Sequence, residues 1–203
     1  IISPSYTSAL AQVIQLSSIS GKGNNLILLA FEEGEKERFT EILSNFKLLQ
    51  STGFDVAIYK TDEQRKDKKE EIHVWISSRD YENSNMMILL SYIISSHPDW
   101  KNAKIKVFSI YPSQDEFENY KKRMFSFIES GRLPISPLNL KMIPQNEHAG
   151  IKSIINRHSE KADLTIIGFR REVVKKQKLA AFEGYEKLGN ILFVNSIKGK
   201  EIE

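Results

Sequence analysis

The chain has 203 residues, 40% of them apolar and 27% charged, a balance that suits one soluble folded core and excludes disordered and fibrous classes. It has no cysteine, which removes disulfides, cysteine-ligated metals, iron–sulfur clusters and thiol nucleophiles. With 29 basic against 26 acidic residues the net charge is only +3, too even to imply a nucleic-acid partner.

The first two dozen residues hold one helix at about 5–16 and a turn through Gly21, Lys22, Gly23, Asn24 and Asn25, followed by a strand at 26–31. A βαβ unit needs a strand before its helix, and none is present here. The chain also opens at Ile1 without an initiator Met. Residues 1–33 are therefore expected to be the end of a preceding α/β half-domain, and residues 34–203 a complete one.

The stripe Phe39, Ile42, Leu43, Phe46 and Leu49 predicts a crossover helix over 36–49, with Gly53 available to end it before a strand at 54–60. Residues 60–71 carry five basic and five acidic side chains and no apolar one, which suits a solvated loop. Further strands are expected at 72–76, 105–110, 139–143, 164–168 and 191–194. Between them Ser113 and Glu116 stand at capping-box spacing, and Phe117, Tyr120, Met124, Phe125 and Ile128 form one apolar face that stops at Gly131. A last helix is placed near 177–188.

Several of these strands are almost wholly apolar, as strands covered on both faces must be. The fold class expected is α/β, a mostly parallel open sheet flanked by helices. The longest apolar runs fall far short of the roughly 20 residues that cross a bilayer.

Chemistry is hard to find in this sequence. His73, His97, His148 and His158 are the only strong candidates for metal binding or general base work near neutral pH, and no two stand at i, i+4. His73 sits in a strand beside Val74 and Trp75, His148 opens a helix beside Glu147, and His158 closes it, where a cation favours the helix dipole. No G-x-S-x-G elbow, P-loop or G-x-G-x-x-G fingerprint follows a strand, and Gly21-Lys22-Gly23 precedes one. No catalytic, cofactor-binding or metal-binding residue is assigned.

The sharpest anomaly is the run from Gly168 to Lys178, read as a loop at the carboxyl end of a strand, where open α/β sheets place ligands. It holds five basic residues against the single acidic Glu172. Arg170, Arg171, Lys175 and Lys176 offer a patch for acidic protein, anionic lipid or a nucleotide phosphate. This last β–α unit resembles the end of a universal stress protein. Where those proteins bind ATP they use a glycine-rich loop; here only Gly168 is left of it, and bulky side chains keep the backbone from wrapping phosphate.

Three blocks in register carry a second resemblance: Ile72-His73-Val74-Trp75-Ile76, then Met87-Ile88-Leu89-Leu90-Ser91-Tyr92-Ile93-Ile94, then Trp100-Lys101-Asn102-Ala103-Lys104-Ile105-Lys106-Val107-Phe108. Together they resemble the cytoplasmic C-terminal domain of the cation-chloride cotransporters, of the Na-K-Cl type. Asn24-Asn25-Leu26-Ile27-Leu28-Leu29 and the segments Ile151–Phe169 and Ile191–Val194 are similar to further parts of it, so the likeness covers most of the chain. The linker from Arg79 to Asn85 and the short region from Pro134 to Pro144 depart from the animal members and point to a microbial relative.

The resemblance implies two related α/β halves, no catalysis, and a homodimer that influences a membrane domain of the same polypeptide. It places the chain at the cytoplasmic face of the membrane, in a protein that moves chloride with sodium, potassium or both. A nucleotide-sensing domain of the universal stress protein kind is the alternative.

Overall fold

The computed structural model describes residues 3–16, 24–62, 68–77, 81–111, 113, 115–129, 135–145 and 150–197. Seven strands form one sheet: β1 (Leu26–Glu32), β2 (Asp55–Thr61), β3 (Glu71–Ser77), β4 (Lys104–Tyr111), β5 (Leu140–Pro144), β6 (Leu164–Gly168) and β7 (Asn190–Asn195). Their order is β1-β2-β7-β6-β3-β4-β5, and every neighbouring pair is parallel except β2 with β7. All seven lie within a residue or so of the runs expected from the sequence.

The apolar strands are sandwiched. Because strand side chains alternate between faces, Ile72, Val74 and Ile76 of β3 face one core and Trp75 the other. On the first face Val74 and its neighbours meet Met86, Met87 and Ile88 of α4 (Tyr81–Ser95), with Tyr120 and Met124 of α5 (Phe117–Glu129). Three other helices supply the second face: α2 (Lys36–Ser44), α3 (Phe46–Ser51) and α6 (Ile151–Ser159). The remaining pair, α1 (Tyr6–Val13) and α7 (Arg171–Gln177), lies on that face as well, with Leu10 and Val174 in its core.

Local departures have local causes. The helix expected over 36–49 is two helices, broken at Asn45, whose backbone leaves helical values (φ −89°, ψ 0°) while its side-chain amide donates to Glu41 O at 2.9 Å. Gly53 sits at φ +76°, a conformation open to glycine and costly for most residues, and turns the chain into β2. Ser113 is not the cap of α5: its carbonyl accepts the N–H of Glu116 in a turn, and the helix starts one step later, with Glu116 O accepting from Tyr120. Gly131 lies outside the described residues, as do Gly21, Lys22, Gly23 and His148.

The helix expected near 177–188 is displaced. Residues 171–177 form α7, a short 3-10 turn covers 178–181, and 182–189 is irregular. Phe182, Tyr185 and Leu188 are buried on a coil held by side chains of α6.

Strand–helix–strand crossovers recur across the sheet, and two of them flank its antiparallel pair. A strand, a helical crossover and a parallel strand make up β1-α2-α3-β2, and the same sequence of elements makes up β6-α7-β7. They meet back to back along the antiparallel β2–β7 pair, with Ile58 opposite Phe193. The boundary placed at residue 33 falls between β1 and β2, which pair along their whole length; the reversal of direction comes at β2–β7.

Candidate functional site

Strand β3 lies between β4, to which it connects, and β6, which returns from the far side, so the topological switch point is the crevice at the carboxyl ends of β3 and β6. A cavity of about 230 Å³ opens there, lined among others by Ser77, Ile110, Lys152, Gly168, Arg170 and Tyr185. That is smaller than the ~300–1,000 Å³ of most small-molecule sites.

The crevice beside Gly168 is filled from the α4 side. A Cβ on Gly168 would meet the Asn83 amide nitrogen at 3.1 Å and the Met87 sulfur at 3.2 Å. Asn83, only 2% exposed, donates its amide to Phe169 O at 3.0 Å and accepts the N–H of Ser196 at 2.7 Å, so it ties the ends of β6 and β7 together. Asn195 repeats the device with an amide bond to Phe169 O at 2.9 Å. The glycine here serves close packing of helix on strand.

The basic run is a helix rather than a loop. The Nε of Arg171 donates to Asn195 Oδ1 at 3.0 Å, which docks that guanidinium onto the end of β7. Arg170 is half-buried and lines the cavity, while Lys175 and Lys176 are exposed on α7. The four residues therefore do not converge on one point. Lys175 instead lines a larger groove of about 580 Å³ between α2, α3 and α7.

The three histidines among the described residues serve structure. His97 accepts the N–H of Asp99 at 3.2 Å and caps a 3-10 turn. His158 is half-buried near the rings of Trp75 and Phe108; burial, then Lys141 and Arg157, hold its pKa below the usual value. His73, 3% exposed, joins Ser159 of α6 through Nδ1 at 2.9 Å and Glu71 through Nε2 at 3.0 Å. This is a serine, an imidazole and a carboxylate in a row, 86 residues apart in sequence for the first pair. Ser159 is fully buried and its oxygen already accepts from Trp75 Nε1 at 2.8 Å, so the row ties α6 to β3. Among the described residues no group of three carboxylates or imidazoles could hold a metal ion, and no helix is long and apolar enough to cross a membrane.

The sequence profile of solute carrier family 12 matches residues 31–182, from β1 through the 3-10 turn after α7. The chain belongs to solute carrier family 12. Comparison with curated protein sequences returns no match. Among solved structures, this solute carrier family 12 chain is similar to the cytoplasmic domain of a prokaryotic cation chloride cotransporter, with a TM-score of 0.59 at 17% identity over 96% of this chain and 71% of that one. It is also similar to a protein from Pseudomonas aeruginosa UCBPP-PA14 described as a universal stress protein, with a TM-score of 0.44 at 18% identity over 82% of this chain and 62% of that one. The first likeness shows that the family match lies on a known α/β fold.

Two side-chain clamps of this domain were not foreseen from sequence. Lys152 of α6 donates its ammonium to the carbonyls of Ala180, Ala181 and Glu183 and lies 5.2 Å from the Tyr185 ring centre. Asp163 accepts the backbone N–H groups of Lys68, Glu70 and Glu71, each at 2.9 Å, and so fixes the entry to β3. A lysine in a helix and an aspartate before a strand carry no local signature of either role.

Proposed function

We propose that the chain is a non-catalytic cytoplasmic regulatory and dimerisation domain of a cation-chloride cotransporter, whose membrane domain moves chloride with sodium, potassium or both. The observation that carries the reading is the family match over residues 31–182. The fold is consistent with it: its buried polar groups are spent on tying strand ends and loops together, which suits a domain that acts through conformation and contact. Its partners on this reading are a second copy of itself and the membrane domain of the same polypeptide, at the cytoplasmic face of the membrane.

The cavity at the switch point favours one further reading, a nucleotide-sensing domain. Against it stands the small volume of that cavity.

The test is transport by the full-length parent in vesicles, with and without this domain. Chloride-dependent uptake of rubidium or sodium that changes in rate or set point on removal of the domain supports the proposal. Uptake that is independent of chloride, or indifferent to the domain in a protein that still inserts, contradicts it.

A further inference from the structure

The groove between the two crossovers that flank the antiparallel pair has the walls, floor and charge of a helix-binding site. Thr40, Leu43 and Ser44, a ridge at i, i+3, i+4 along α2, form one wall together with Lys47 of α3. Val174, Lys175, Lys178 and Leu179 form the other, at i, i+1, i+4, i+5 along α7 and the turn after it. Between two such ridges lies the trough that a third helix fills. Its floor is apolar: Phe46 is 4% and Val174 5% exposed, with Leu43 and Leu179 half-buried beside them.

The charge is one-sided. Three lysines rim the groove, Lys47 on one wall and Lys175 and Lys178 on the other, and no carboxylate lines it. Glu41 of α2 is paired with Arg38. Lys178 also has backbone at φ +50°, ψ −124°, a conformation that favours glycine, and strain of this kind clusters where side chains are held for function. Cations on both rims, rather than at one end, match a ligand that carries negative charge along both its edges. A single acyl chain has its charge at one end.

We infer that this groove binds an acidic amphipathic helix of a partner protein, its apolar face on Phe46 and Val174 and its flanking carboxylates on Lys47, Lys175 and Lys178. The inference does not depend on the transport reading, since it concerns a surface of the chain by itself.

The probe is a labelled helical peptide with Leu at i, i+3, i+4 and i+7 and Glu on both flanks, titrated into the 203-residue chain. A peptide of the same composition in scrambled order is the control, and vesicles of phosphatidylcholine with phosphatidylglycerol are the comparison. Saturable binding is expected, with NMR shifts at the methyls of Leu43, Val174 and Leu179. The paired charge reversal Lys47→Glu with Lys175→Glu should weaken it by about tenfold or more, more at low salt than at high. Both lysines are exposed, so the variant keeps its fold, and an unchanged melting curve checks that. Equal binding of the scrambled peptide, or affinity untouched by the reversal, overturns the inference. So does binding of the vesicles, lost on the same reversal, with none of the peptide.

Discussion

The Oγ of Ser159 lies 2.9 Å from Nδ1 of His73, and the same oxygen accepts the indole N–H of Trp75 at 2.8 Å. The neutral Nε2–H tautomer of His73 satisfies every group in the row: Trp75 donates to Ser159, Ser159 to His73, and His73 to Glu71, which also binds the Lys106 ammonium. Three elements are joined in this way, because His73 and Trp75 stand on β3, Ser159 on α6 and Lys106 on β4. Ser159→Ala leaves two buried polar groups without their shared partner and is expected to cost about 1–3 kcal/mol in urea unfolding.

Burial holds the pKa of His73 below its usual 6.5, with Glu71 partly offsetting the shift. In the window between the two values the unfolded chain binds a proton that the folded chain does not, so stability rises with pH there and is lost as pH falls. Unfolding midpoints measured from pH 7.5 down to 5.5 are expected to drop, and His73→Gln should reduce that drop. Some slope will persist, because the pKa of His158 is also lowered. A variant as steep as the parent would show that His73 titrates freely in the fold.

Burial pushes the pKa of Asp163 up, but the backbone N–H groups of Glu70, Glu71, Lys68 and Lys69 together outweigh it and hold the carboxyl below the usual range. Asp163→Ala is expected to cost about 2–3 kcal/mol, since bonds to a charged acceptor are worth more than neutral ones. Asp163→Asn, with one acceptor oxygen, should fall between. Amide exchange at Glu70 and Glu71 is expected to accelerate in both variants, ahead of the global change.

Gly168→Ala places a methyl against the Asn83 amide and the Met87 sulfur at 3.1–3.3 Å. Both neighbours are buried and Asn83 is pinned by two hydrogen bonds, so the strain is expected to cost about 1–3 kcal/mol. Combining it with Met87→Ala should recover part of that loss, measured as a double-mutant cycle.

The central strands were legible because they are buried on both faces, so that runs such as Ile72–Ile76 announce themselves without any partner. Helix stripes were legible where the helix is regular, as in Phe117, Tyr120 and Met124 of α5. The stretch after β6 was misread because its buried residues, Phe182, Tyr185 and Leu188, look like a helical face while their backbone is fixed from elsewhere, by Lys152 and Asn156 reaching across 28 to 31 residues. The row from Trp75 to Ser159 was invisible for the same reason: its members come together only when α6 packs on β3. The groove walls were in part legible, since Lys175 had been singled out, but not the opposite wall at Lys47.

The central claim is that this is a self-associating domain of a cotransporter and not a nucleotide sensor. Sedimentation of the purified chain over a wide concentration range, with and without ATP, tests it most directly. A reversible dimer whose affinity ATP leaves unchanged is the expected result. A monomer at every concentration, whose sedimentation changes when ATP is added, would contradict it.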